Sequence, residues 1–208
     1  MKNILIFGDS NTYGLKADGS GRFTYDIRYP GRLQKLLGNE YFIVEEGCPG
    51  RTTIFEDPTR YHLKATDYLF PCLYSHLPLD LIVIMLGTND CKTVFDNSSD
   101  DIKEGLRKVV TLTKEYTENK VPILIMVPPT LGDDIYLDTF DEDFADKSLV
   151  VAKELAQKYK DLANEEKTYY FDASKYVKVS PIDQEHMDEK NHEILADKLV
   201  SVIKDILK

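Results

Sequence analysis

Ser10 stands in Gly8-Asp9-Ser10-Asn11, directly after the apolar run Ile4-Leu5-Ile6-Phe7. A serine presented at the end of a buried strand can attack a carbonyl carbon, given a base to take its proton and a third group to orient that base. The same four residues also suit an ordinary turn, so the assignment depends on what the rest of the chain supplies. Four histidines are available, His62, His76, His186 and His192. His186 ends the segment Ser180-Pro181-Ile182-Asp183-Gln184-Glu185-His186. Asp183 lies close enough upstream for one local turn to join carboxylate and imidazole. His192 falls on the following helix, turned away from His186, and is expected to be exposed or packed. His62 and His76 fall in a long connection where structural roles are expected, with His62 the lesser candidate for lining a pocket.

Acyl transfer also needs donors aimed at the developing oxyanion. Asn89, just past Gly87, offers a side-chain amide, and Gly50 can bring a backbone N–H close because it has no side chain. The backbone N–H of Ser10 is a third candidate. Asp9, adjacent to the serine, is expected to buttress the turn rather than to orient the base.

Gly8-Asp9-Ser10-Asn11, Gly50 after Glu45-Glu46-Gly47, Gly87-Thr88-Asn89-Asp90 and Asp183-x-x-His186 together resemble the four-block pattern of the SGNH hydrolases, or GDSL-type esterases. The order and spacing match along nearly the whole chain. The resemblance implies Ser10 as nucleophile, His186 as general base and then acid, and Asp183 as the orienting carboxylate. It also implies an oxyanion hole from Ser10 N–H, Gly50 N–H and the Asn89 side chain. The stretch from Glu45 to Asp90, with EEG, RTT, Asp57-Pro58 and HLPLDLIVIMLGTND, is most similar to the arylesterase/acyltransferase branch. That likeness implies a serine esterase acting on short-chain or aryl esters through an acyl-enzyme, with acyl transfer to alcohols as a further activity. It further implies a small-molecule ester substrate, a homo-oligomer, and no metal or other cofactor. A carbohydrate O-acetyl esterase and a lysophospholipase or thioesterase are alternatives within the family. The sequence departs from the pattern in two places. Asn11 replaces the usual Leu, a change expected to alter packing more than chemistry, and Pro49 stiffens the turn before Gly50.

These residues need a scaffold that gathers strand ends. Apolar runs at Ile4–Phe7, Tyr41–Val44, Leu79–Leu86, Val121–Val127 and Thr168–Phe171 predict strands; runs without polar alternation are expected to be covered on both faces. Helical spacing predicts helices over Tyr29–Leu37 with Gly38 as C-cap, from Ser98 or Ser99 through Tyr116, over Leu149–Leu162, and from about Glu189 to Leu207. Alternating strands and helices imply an α/β fold, a three-layer α/β/α sandwich of the flavodoxin-like kind with about five parallel strands. Residues 1–208 are expected to form one domain. Three long connections, Thr12–Arg28, Arg51–His76 and Leu131–Lys147, leave carboxyl ends of strands, where open sheets bind ligands. The second carries Tyr61, Tyr68, Phe70 and Tyr74, expected in a pocket wall, an oligomer interface or the core. The third carries Asp133, Asp134, Asp138, Asp141, Glu142, Asp143 and Asp146 and is expected to be a solvated loop, with a lid as the sharper alternative.

A formal charge of −10 disfavours nucleic acid and anionic membranes as partners. Cys48, Cys72 and Cys91 form no C-x-x-C pair. With no signal-peptide pattern, this predicts reduced thiols in a soluble cytoplasmic protein. A phosphate- or nucleotide-binding flavodoxin-like module is the rival of a different class, but Asp9 would face the anion and no G-x-x-x-x-G-K-[ST] loop occurs. An α/β-hydrolase would need a G-x-S-x-G elbow, and a metalloesterase would need clustered histidines.

Overall fold

Ile4, Leu5, Ile6 and Phe7 have no exposed surface, and alternate residues face different cores. Ile4 and Ile6 pack with Leu81, Val83, Met85, Leu124 and Met126. Leu5 and Phe7 pack with Ile82, Ile84, Ile123 and Ile125. Each such fully buried aliphatic residue contributes roughly 1.5–3 kcal/mol. The lack of polar alternation along the run thus reflects cover on both faces.

The computed structural model describes residues 1–137 and 143–208. Its strands are β1 (Lys2–Gly8), β2 (Tyr41–Gly47), β3 (Leu81–Met85), β4 (Ile123–Val127) and β5 (Tyr169–Asp172). They form one five-stranded parallel sheet in the order β2-β1-β3-β4-β5. The helices are α1 (Ser10–Tyr13), α2 (Tyr29–Leu37), α3 (Ala65–His76), α4 (Ser99–Tyr116), α5 (Asp146–Glu166) and α6 (Glu189–Ile206). Leu33 of α2 and Leu195 and Leu199 of α6 cover one face of the sheet. Leu69 of α3, Leu106 of α4 and Leu155 of α5 cover the other. The three-layer α/β/α architecture is the expected one. Ser98 caps α4 through a reciprocal bond with Asp101, and Gly38 ends α2.

Two elements differ from the sequence expectation. Strand β2 continues through Glu45 and Glu46, because both carboxylates find partners: Arg28 pairs with Glu45 and His76 with Glu46. The connection Arg51–His76 contains α3. Its buried stripe, Ala65, Leu69, Cys72 and Leu73, has helical spacing. Aromatic residues outside the stripe and Pro71 within the helix mask that signal. Tyr61 and Tyr74 are 67% and 73% exposed, with Tyr68 and Phe70 also exposed, so these aromatics lie outside the core. Asp138, Asp141 and Glu142 lie outside the described residues. Of the remaining acids in that segment, Asp133 pairs with Lys153, Asp143 pairs with Lys92, and Asp146 begins α5.

The topology positions a site. From β1 the chain first moves to β2 on one side and later to β3 on the other, so the connections leaving β1 and β3 diverge. Such a switch point opens a crevice at the carboxyl ends of the strands. The register places Gly8 opposite Gly47 on β2 and Met85 on β3, so the turns after all three strands start at one level.

Gly87 sets the path after β3. Its φ is +121°, and a Cβ there would lie 2.2 Å from the Tyr159 hydroxyl, which donates to the Leu86 carbonyl at 3.0 Å. Gly87→Ala is therefore expected to destabilise the protein by more than about 1–2 kcal/mol, the backbone strain alone. Tyr159→Phe in the same chain should recover part of the excess, as a double-mutant cycle in urea would show.

Candidate active site

Asp9 follows β1 and caps the short helix α1, accepting from Asn11 N at 3.0 Å. Ser10 opens that helix and is 2% exposed. Its Oγ lies 2.9 Å from Nε2 of His186, and Nδ1 of His186 lies 2.6 Å from Oδ2 of Asp183. Hydroxyl, imidazole and carboxylate thus form one hydrogen-bonded chain, with the tautomer carrying hydrogen on Nδ1 matching the carboxylate. The expected local turn exists. Oδ1 of Asp183 accepts from the backbone N–H groups of Glu185 and His186, each at 3.0 Å. Gln184 lies inside that turn at φ +61°. Its N–H bonds Ser180 O at 2.9 Å, while Ser180 N bonds His186 O at 2.7 Å, so the loop closes on itself.

Asn11 does more than pack. Its Nδ2 donates to the Glu185 carbonyl at 3.2 Å, and its Oδ1 accepts from Met187 N at 2.9 Å. One amide thus brackets His186 on both sides, which corrects the expectation that this position would alter packing more than chemistry. A Leu could make neither bond.

Asn89 is buried in a short 3-10 turn, Asn89–Cys91. One hydrogen of its amide goes to the Arg51 carbonyl at 3.2 Å, leaving the other available. That bond places Asn89 beside Gly50, which turns at φ +81°. Asp90 accepts from the Thr53 backbone N–H at 2.9 Å and from its hydroxyl. The turn after β2 and the turn after β3 are therefore tied together twice. Ser10, Gly50 and Asn89 each follow one of three in-register strands. Arg51 supports all three turns. It is 5% exposed, donates to Gly8 O at 2.8 Å and also to Glu46 O, and lies 4.1 Å over the Phe7 ring. Arg51, Thr53 and Asp90 received no role from sequence. The RTT block was visible, but buried arginines are rare.

The other histidines separate as expected. His192 is buried between Phe23 and Tyr29, and its Nδ1 accepts from Tyr29 N at 3.3 Å. Burial pulls its pKa down to about 3. His62 is exposed, and His76 pairs with Glu46 at 2.9 Å.

Electrostatically the site is acidic. Burial pushes Asp9 up to about 7, against the lowering effect of the Asn11 N–H. Burial raises Asp90 to about 6, against its bonds to Thr53. Burial alone would pull His186 down. The Asp183 hydrogen bond, the Glu185 carboxylate and the Asp183 charge outweigh burial and hold it above the ordinary histidine value. Such a chain can deprotonate a hydroxyl, return the proton to a leaving group and hold an imidazolium between. Replacing Asn11 by Leu removes both bonds that bracket His186. Each is worth about 1–3 kcal/mol when a buried group loses its partner, so the urea midpoint should fall accordingly.

The GDSL-like lipase/acylhydrolase family matches residues 6–194. Among solved structures, the inhibitor-bound aryl esterase of M. smegmatis is 34% identical with a TM-score of 0.91, covering 100% of both chains. A carbohydrate acetylesterase from Sinorhizobium meliloti is 31% identical with a TM-score of 0.92, covering 99% of this chain and 100% of that one. A comparison with curated proteins finds no match. Matched over most of its length, and over the strand ends that gather Ser10, Asn89 and His186, the chain belongs to the GDSL-like lipase/acylhydrolase family.

Proposed function

We propose that this protein is a serine esterase in which Ser10 is the nucleophile, His186 the general base and acid, and Asp183 its orienting carboxylate. The observation that carries this reading is the unbroken Ser10–His186–Asp183 hydrogen-bonded chain at the switch point of the sheet. His186 takes the Ser10 proton as Oγ bonds the ester carbonyl carbon. The oxyanion is received by Ser10 N–H, Gly50 N–H and the free amide hydrogen of Asn89. Collapse expels the alcohol, protonated by His186, and leaves an acyl-enzyme. Water, activated by the same imidazole, then releases the acid, and an alcohol in its place would give acyl transfer. Asp183 holds the ring and stabilises the imidazolium, Asn11 holds the loop, and Asp9 buttresses the serine turn. A phosphate-binding module has no use for a serine hydroxyl already engaged by an imidazole.

The substrate class we propose is a small carboxylic ester with an aryl or short acyl part, following the aryl esterase likeness. An O-acetylated carbohydrate is the second reading, favoured by the similarity to the S. meliloti acetylesterase. Wild type should hydrolyse a short-chain aryl ester and Ser10→Ala should not; equal rates in both would overturn the assignment. Asn89→Ala should lower kcat by about 100- to 1,000-fold with the fold intact, the usual loss for one oxyanion donor. Comparing rates across acyl esters and acetylated sugars separates the two substrate readings.

The pH dependence has a definite sign. His186 must be neutral to act, so kcat/KM should rise with pH through a midpoint above the ordinary histidine value. Asp183→Asn removes both the bond and the charge that raise it. The midpoint should then move down while the plateau falls by roughly 10⁴-fold, as for other triad aspartates. A pH profile of wild type and this variant checks both.

A further inference from the structure

Away from Ser10 and His186, α3 and β2 bring three metal-binding side chains together. Cys72 and His76 are four residues apart on α3 and so share a face of the helix. That face meets the carboxyl half of β2, where Nε2 of His76 lies 2.9 Å from Oε1 of Glu46. One donor atom from each of Glu46, Cys72 and His76 lies within 4.8 Å of the others. Cys72 is buried, and the other two are half-buried. We infer that Glu46, Cys72 and His76 form a binding site for one divalent transition-metal ion of the zinc or cobalt type.

The donor set selects that class. Sulfur, imidazole nitrogen and a single carboxylate suit zinc and its neighbours, whereas calcium and magnesium require mostly oxygen. Tetrahedral ligands at about 2.0–2.3 Å from a zinc ion lie roughly 3.3–3.8 Å apart. Closing the cluster therefore needs only small side-chain rotations. Three protein ligands leave a fourth position for water.

The charges also balance. On binding, the Cys72 S–H bond breaks and its proton passes to bulk water. His76 places its remaining hydrogen on Nδ1 and gives the Nε2 lone pair to the metal. Glu46 exchanges its hydrogen bond to His76 for a metal bond. A divalent ion with one thiolate and one carboxylate is neutral overall, so binding replaces the single negative charge of the Glu46 carboxylate beside Arg51 with a neutral site. The Arg51 guanidinium is bonded to the main-chain carbonyls of Gly8 and Glu46 rather than to the Glu46 carboxylate, whose side-chain partners are His76 and the Tyr68 hydroxyl. This inference is independent of the esterase reading.

The test is titration of the full chain, free of chelator, with cobalt(II). A thiolate-to-cobalt charge-transfer band should appear in the near ultraviolet, saturate at one ion per chain and vanish when zinc is added. Zinc should also raise the unfolding temperature of wild type. Cys72→Ser should abolish the band. His76→Gln and Glu46→Gln should each weaken binding by at least about tenfold, since even second-shell changes cost 10- to 100-fold. A cooperative urea unfolding transition of His76→Gln reports that the fold survives, so the inference does not depend on the buried Cys72 variant. A band absent from wild type would overturn the site. So would a band that persists in Cys72→Ser, or binding unchanged in both His76→Gln and Glu46→Gln.

Discussion

One guanidinium holds the strand ends together. Arg51 bonds the Gly8 carbonyl at the end of β1 and the Glu46 carbonyl near the end of β2. Its own carbonyl takes the Asn89 amide from the turn after β3. Parallel strands end in carbonyls with no further ladder partner, and buried groups of that kind must be satisfied. A buried cation with no carboxylate bonded to it among the described residues has the complementary need. Burial lowers the Arg51 pKa, while two carbonyls and the face of Phe7 replace water around it. The Asp90–Thr53 bonds add a second tie between the same turns. Gly50 and Asn89 are thus placed by one hydrogen-bonded unit rather than by two independent loops.

The carboxylates around that unit fall into two kinds. Asp9 and Asp90 have almost no contact with water, and burial drives both pKa values up. Oδ2 of Asp9 has no hydrogen-bond partner among the described residues, so nothing on that oxygen offsets the cost of burying its charge. Asp183 is different. Its side chain is 23% exposed and takes two backbone N–H groups and the imidazole. Two main-chain donors thus fix that carboxylate where it meets Nδ1 of His186.

Much of this was legible in the sequence, because the strongest signals are local. Four uninterrupted apolar residues mark a doubly covered strand, and Asp183 with His186 is one turn. The three-layer α/β/α architecture followed from the alternation of strands and helices. What escaped was what depends on distant partners. Glu45 and Glu46 extend β2 only because Arg28 and His76 meet them. Helix α3 was hidden by aromatics outside its buried stripe. Asn11 is an ordinary turn residue until the segment around His186 is folded against it. The same holds for Glu46, Cys72 and His76: Cys72 and His76 are four residues apart, but with α3 hidden that spacing signalled no shared face, and Glu46 lies on another element.

Asn11 also shows how a loop histidine can be positioned well. Sites on loops are less precise than sites on helices or strands unless a supporting shell locks them. His186 lies 176 residues from Ser10 and on no regular element. Its segment is instead fixed through its own main chain. Ser180 and His186 bond each other, Gln184 bonds Ser180, and Asp183 gathers the N–H groups of Glu185 and His186. Asn11 then takes the carbonyl before His186 and the N–H after it. Because Asn11 is the neighbour of Ser10, the residue that locates the imidazole moves with the hydroxyl it faces. A shift of the β1 turn would carry both partners together, so the Ser10–His186 distance is held more tightly than either residue's position in the fold.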